Sequence, residues 1–402
     1  MAVPITEAIS LILQHTKSTQ SELVPLENAL ARISYQTLHA TIALPTFNNS
    51  AMDGFGLKGH HDSYTIVGKI LAGDAHSYDL KEGECVTIMT GAEVPDSAES
   101  VIPQENTTIT ETSIMINKPV LKRANIRLKG EDINVDEVIL EKGEKITSAH
   151  ISLLASQGIT HIKVHRIPRV AVFASGSELK LHFEKLEKSQ VYNSNTPYLM
   201  ARSEELGCET LLVGKTEDSI ESLQALIKDS LDCDFIVTSG GVSVGEADFT
   251  KAAFSGLGCE SIFSKVQIKP GKPTTFGKVG NTLVLNLPGN PLASSLNFEI
   301  FGKLLLMKLR GLKTTHHGFI NTKISQNFKM NRPVDTVLPG FFDGESFTPA
   351  KKFAPGNVNV LNHCNGMIII DKETKELKEN DSVKFMPIHW EFLKEEFVKF
   401  TS

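Results

Sequence analysis

Apolar positions at Ile5, Ala8, Ile9, Ile12 and Leu13 recur at the i, i+3, i+4 spacing of an amphipathic helix, and a second, shorter helix is expected over 24–31. From about 57 to 143 the pattern changes to short alternating or β-branched runs at 64–67, 85–89, 113–116 and 138–140, split by Gly, Pro and Asp, which predicts a small β domain. Helical spacing returns at 148–158 through Ile151, Leu154 and Ala155, with Gly158 as a stop, and an alternating strand follows at 160–167. On that strand His161 and His165 lie roughly 13 Å apart, too far to share a metal, and read as surface residues.

After Pro168 strands and helices alternate. Strands are expected at 170–174, 210–213, 235–237 and 282–287, with helices after 193–197, at 219–231 and at 292–309. Asn195 or Thr196 suits a cap there, with Pro197 in the first turn. This rhythm predicts a largely parallel, doubly wound sheet. From 314 onward β-rich runs return at 322–324, 336–338, 367–370 and 382–386, a small barrel-like C-terminal domain. The pairs His60-His61 and His316-His317 fall in polar turns and are expected to face solvent.

In doubly wound sheets ligands bind where loops leave the carboxyl ends of strands, which here are 175–178, 238–248 and 288–291. Thr238-Ser239-Gly240-Gly241 follows a buried strand with the small residues of an anion-binding loop, and Asp248 lies just beyond it. Lys265, Lys269 and Lys272 then surround a Pro-Gly turn. An acidic glycine loop with a lysine turn suits a polyanion and a divalent metal; the alternative is an ordinary turn with solvated lysines. Loops 89–95 and 125–133 hold polar groups of their own, the second joining Arg127 to a paired carboxylate, which an exposed ion pair would explain equally well.

Charge narrows the class. The 402 residues carry a net charge of −6, which argues against bulk nucleic-acid binding and confines any anion site to a local basic patch. Five scattered cysteines without C-x-x-C fit reduced thiols in a cytoplasmic protein, not a disulfide framework or zinc site. Neither a signal peptide nor a membrane span is expected.

Six blocks, in order, carry a resemblance. They are Asn49-Ser50-Ala51-Met52-Asp53-Gly54, Met89-Thr90-Gly91, Gly130-Glu131-Asp132, the run from Ser239 to Asp248, Lys269-Pro270-Gly271-Lys272-Pro273 and Leu287-Pro288-Gly289-Asn290-Pro291. Together they resemble the MoeA family, molybdopterin molybdenumtransferases related to the gephyrin E domain. The resemblance implies an α/β plus β multidomain fold: a helical linker domain over 1–44 and 147–167, an inserted β domain over 45–146, a doubly wound molybdopterin-binding α/β domain over 168–312 and a C-terminal β-barrel-like domain over 313–402. It also implies a homodimer whose site lies between the α/β domain of one subunit and the inserted domain of the other. The reaction implied joins molybdate, as substrate, to adenylylated molybdopterin and releases AMP with Mg²⁺. Contacts with the adenylyltransferase and with molybdoenzymes are implied as well.

Carried onto this chain, the resemblance gives Asp53, Asp132, Glu178 and Asp248 catalytic roles, with Asp53, Glu178 and Asp248 as metal ligands. Thr90, Asp234, Ser239, Gly240, Gly241, Ser243, Pro288 and Pro291 become substrate-binding, and Arg127, Lys265, Lys269 and Lys272 molybdate-binding. Two positions depart from the family pattern: Ser177 stands where members carry Asp, and Asn48 replaces the Asp of Phe-Asp-Asn-Ser. The competing readings are a molybdopterin adenylyltransferase and a non-catalytic cofactor-binding scaffold. The inserted β domain counts against the first. The four carboxylates count against the second, since they would repel one another without a ligand.

Overall fold

The computed structural model describes residues 2–74, 78–216, 219–240, 247–330 and 333–389, with backbone alone at 214–216, 247–249 and 251. The chain forms two compact units, one of Met1–Gln36, Lys142–Thr147 and His161–Ser402, the other of Thr37–Glu141 and Ser148–Thr160.

The larger unit is built on a six-stranded sheet in the order Glu209–Thr216, Arg169–Ser175, Phe235–Ser239, Thr282–Leu287, Thr275–Val279, Glu260–Phe263. The first four strands run parallel, and Thr275–Val279 runs antiparallel to both of its neighbours. Successive residues of the central strands enter different cores. Val170, Val172, Phe235 and Val237 pack with Ile5, Ala8 and Ile12 of the helix Ile5–His15. Ala171, Phe173 and Ile236 pack instead with Leu223, Ile227 and Phe254 from the helices Ile220–Asp229 and Ala247–Gly256. A strand buried on both faces needs apolar residues at every position, which is why these runs do not alternate. Ser219 caps the helix Ile220–Asp229 by accepting from Ser222 N at 3.1 Å.

Five strands at the carboxyl end of the same unit close on themselves: Asp335–Phe342, Ser346–Pro349, Ile320–Ile324, Ser382–Pro387 and Gly366–Ile370, which returns to Asp335–Phe342. Leu338, Phe347, Ile368 and Phe385 fill this barrel. Its first strand also pairs in parallel with Ile268–Lys269, attaching the lysine turn to the barrel.

The smaller unit holds a six-stranded sheet in the order Ser100–Pro103, Gly54–Leu57, Glu84–Ile88, Ser63–Ile70, Ser113–Ile116, Thr107–Ile109. Its helix Ser148–Ser156 is followed by the buried Gln157, whose side chain accepts from Thr41 N and Ile42 N and donates to Ile42 O.

Four expectations need correction. Residues 24–31 do not form a helix: Ser21–Pro25 is a strand paired with His161–His165, followed by a 3₁₀ turn Leu26–Asn28. The helix expected over 292–309 is interrupted by a π turn at Phe298–Gly302, where the Phe298 ring occupies the space beside Gly302. His165 is buried, with Nδ1 at 2.8 Å from Thr19 O, and its ring packs on Tyr35. His317 is half-buried and its Nε2 donates to Ile300 O in the π turn at 2.8 Å.

Candidate active site

The carboxyl edge of the parallel strands brings three loops together. Gly240, at φ +97°, follows strand Phe235–Ser239, and a Cβ there would lie 2.6 Å from Ser175 O at the end of the neighbouring strand. On its other side a Cβ added at Gly289 would meet Gly240 Cα at 3.4 Å. Packing and its positive φ require glycine at 240, while Gly289 sits in ordinary contact with it. Polar side chains fasten them: Ser239 Oγ donates to Pro288 O at 3.0 Å, Gly240 N donates to Leu287 O at 3.2 Å, and Thr238 Oγ1 donates to Asn286 Oδ1 at 2.7 Å.

Asn195 completes the cradle. Its Nδ2 donates to Ser239 Oγ at 2.7 Å and to Gly289 O at 2.8 Å. Neither Asn195 nor Thr196 caps the helix Asn195–Glu205; Thr196 N donates instead to Asn193 Oδ1 at 3.1 Å. Helix-start chemistry and a tertiary clamp use the same residue type, so local pattern could not separate them.

Ser239 differs from expectation in being buried, so its hydroxyl is part of the framework. Glu178 is exposed and its carboxylate folds back over Gly176, where a Cβ would lie 2.8 Å from Oε1. Ser177, in the place of the expected Asp, is exposed as well. Gly241 and Ser243 lie outside the described residues, and Asp248 is described only as backbone of the helix Ala247–Gly256. Asp234 requires correction. It precedes the strand, at the amino end opposite these loops, and its carboxylate accepts from Arg166 NH2 at 2.6 Å and Arg169 N at 2.8 Å.

The lysine turn lies in the same unit. Lys269 and Lys272 line a cavity of about 500 Å³ with Gln267, Pro288 and Asn290. Pro291 starts the helix Pro291–Asn297 that leaves the loop. Val266 N donates to Lys272 O at 3.0 Å, closing the lysine segment. Lys265 is exposed on this segment but does not line the cavity.

In the smaller unit the loop at Met89–Gly91 meets Asn49–Ser50, and the block Gly130–Asp132 bonds to Leu44 and Pro45 just before it. The pair Asn49–Ser50 forms a two-residue ladder with Ile126–Arg127, while Gly91 N donates to Ser50 O at 2.8 Å and Ser50 N to Ala92 O at 3.0 Å. Asn48 Oδ1 accepts from Lys129 N at 2.9 Å, a bond that needs only an acceptor and which Asp would make equally. Asp53 Oδ1 accepts from Thr90 N at 2.7 Å and Thr90 Oγ1 at 2.8 Å, so Oδ2 takes part in neither bond. The backbone N–H of Thr90, and then its hydroxyl, hold the Asp53 carboxyl below the ordinary value of 3.8. Asp132 is exposed, its backbone N bonded to Leu44 O, and Arg127 Nε lies 2.8 Å from Glu131 Oε1.

Among the described residues no group of three or more His, Cys, Asp or Glu could hold a metal ion.

Comparison with known proteins gives two adjoining matches. Residues 3–158 match the MoeA N-terminal region (domain I and II), and residues 171–308 match the family described as "Probable molybdopterin binding domain". The chain is 30% identical over 395 residues to the molybdopterin molybdenumtransferase of Staphylococcus aureus (strain COL), covering 95% of this chain and 94% of that protein. A molybdopterin molybdenumtransferase of Staphylococcus epidermidis (strain ATCC 12228 / FDA PCI 1200) is 29% identical over the same length. The solved structure of the molybdopterin biosynthesis MoeA protein from Pyrococcus horikosii superimposes with a TM-score of 0.84 at 28% identity, over 97% of this chain and 100% of that one.

Proposed function

The chain belongs to the MoeA family, a transferase of molybdenum cofactor biosynthesis, and from that premise we propose that it joins molybdate to adenylylated molybdopterin with release of AMP. One observation supports this reading most directly. The interlocked strand-end loops border, through Pro288 and Asn290, the cavity lined by Lys269 and Lys272, so an extended anion on the loops has cationic groups beside it.

Within this proposal the loop after Ser239, including Gly240, Gly241 and Ser243, receives the phosphates. Ser239 and Asn195 keep its start in place. Lys269 and Lys272, with Lys265 and Arg127, attract molybdate and screen charge that develops as AMP departs. The Asp53 carboxylate, kept ionised by Thr90, together with Glu178 and Asp248, has the oxygen chemistry that Mg²⁺ accepts. Bound there, the ion would neutralise phosphate charge. Asp132 is assigned to the same reaction by the family resemblance, as is Thr90.

A homodimer in the cytosol is part of the proposal. Among the described residues no helix is long and apolar enough to cross a membrane. The decisive assay incubates the purified chain with adenylylated molybdopterin, Mg²⁺ and molybdate and follows AMP release with cofactor formation. AMP release should require both molybdate and Mg²⁺; release that ignores molybdate would overturn the reading. Mixing Asp53→Ala with Asp248→Ala subunits should restore part of the activity. If the subunits exchange and none returns, the two units do not serve one reaction across subunits.

A further inference from the structure

The turn that carries Lys269 and Lys272 has prolines at 270 and 273, which have no N–H to brace it from within. Backbone N–H groups of Val266 and Thr274 hold Lys272 O and Gly271 O, and Pro270 O is held from outside by a side chain that ranks nowhere among the expected site residues. Asn297, fully buried, ends the helix Pro291–Asn297. Its Nδ2 donates to Pro270 O at 3.0 Å and to Ala293 O at 2.7 Å. Its Oδ1, at 3.2 Å, and Gly271 O, at 2.8 Å, share the single proton of the buried Thr274 hydroxyl. Gly271, at φ +123°, leaves room for this amide: a Cβ there would fall 2.0 Å from Asn297 Nδ2.

We propose that Asn297 is a positioning residue which, through Pro270 and Thr274, fixes the spacing of Lys269 and Lys272 and registers that pair to the Pro288–Pro291 loop. The helix supplies the register, because it starts at the loop and ends under the lysine turn. Packing alone does not call for an amide at this place, since leucine has similar volume and no polar atoms to satisfy. The proposal rests on the reading that these lysines hold an oxyanion, and its test separates the two.

The variants are Asn297→Leu, Thr274→Val and Thr274→Ser, with Lys269→Ala as reference, all in the full chain. Turnover is measured against molybdate concentration, and amide exchange is followed over 268–274. Asn297→Leu and Thr274→Val should raise half-saturating molybdate about tenfold to a hundredfold, as displacement of a binding group by an ångström does, while turnover at saturating molybdate is largely kept. Gly271 and Lys272 should exchange faster with the remaining chain unchanged, and Thr274→Ser should restore both properties. A purely structural role would lower the melting temperature and leave half-saturation at the wild-type value. Should Lys269→Ala shift the molybdate dependence while Thr274→Val and Asn297→Leu do not, positioning fails and the lysine reading stands. If Lys269→Ala leaves it unshifted, the lysine reading fails, and the exchange rates still decide whether Asn297 orders the turn. Where Asn297→Leu does not fold, the Thr274 pair carries the decision.

Discussion

The loops at the carboxyl edge of the α/β sheet and the loops around Asn49–Ser50 in the smaller unit spend their polar groups differently. On the sheet edge Ser239, Asn195, Thr238 and Asn286 bond to one another and to backbone, and Ser239 is buried. Around Asn49 the backbone makes the ladder, while Asp53, Asp132 and Arg127 remain exposed. Satisfied buried polar groups fix geometry, and exposed charges leave their electrostatics available to a ligand. Substitutions on the sheet edge should therefore change stability together with activity, and those of the exposed charges Asp53, Asp132 and Arg127 should change activity alone.

The sharpest break of this comparison comes from Asp53→Asn. If Asp53 serves the proposed reaction, removing its charge should lower turnover about 10²- to 10³-fold. Stability should move by no more than about 0.5 kcal/mol, because the residue is exposed and Asn retains an acceptor for Thr90. Denaturant unfolding and AMP release on one preparation decide it. Normal turnover with a clear loss of stability would make Asp53 a fold contact and erase the distinction.

Two glycines offer a smaller but cleaner contrast. Gly91 and Gly240 have φ of +79° and +97°, but an added Cβ meets nothing within 4 Å at Gly91 and Ser175 O at 2.6 Å at Gly240. Both alanine variants should lose about 1–3 kcal/mol to backbone strain. Gly240→Ala should lose visibly more, since Ser175 must also move. Equal losses at the two sites would mean that the sheet-edge loops can separate freely. Next in size is Asn195→Ala, which removes two hydrogen bonds worth about 0.5–1.5 kcal/mol each, with water able to replace part of that. Asn48→Ala removes a single bond, to Lys129 N, and should cost about half as much. A larger loss at Asn48 would reverse the ranking of the two regions.

Much of this was legible in the sequence because burial on both faces of a strand writes itself as an uninterrupted apolar run. The strands at 170–174 and 235–237 show such runs, and the segments that follow them do meet. The antiparallel strands Glu260–Phe263 and Thr275–Val279 were not read: Gly277 breaks the apolar pattern because its Cα backs onto Glu260 O, where a Cβ would lie at 2.6 Å. Residues 24–31 carry helical apolar spacing, but a distant strand at His161–His165 claims the first part. Asp234 adjoins the right strand at the wrong end, a distinction of direction that a short apolar run cannot express. Asn195 and Asn297 act through partners 44 and 27 residues away, and no local spacing encodes such contacts.

The smallest effect concerns two histidines outside both sets of loops, and it tests whether burial rather than ligand chemistry sets the acid response of the larger unit. Burial is the main influence lowering the His317 and His165 pKa values below the ordinary 6.5. At His317 the bond to Ile300 O and the charge of Glu299 oppose burial, while Lys303 and His316 reinforce it; at His165 the bond to Thr19 O opposes and Lys142 reinforces. A lowered folded-state pKa means that the unfolded chain binds more protons once pH falls below about 6.5, so unfolding free energy rises with pH across that window and declines on acidification. His317→Gln keeps an N–H for Ile300 O and cannot take up a proton. Unfolding measured between pH 5 and pH 8 should therefore show a shallower acid loss in the variant than in the parent chain, with the two nearest to each other at the alkaline end. An identical slope in both would assign the acid response to other groups, His165 first, since burial lowers its pKa in the same way.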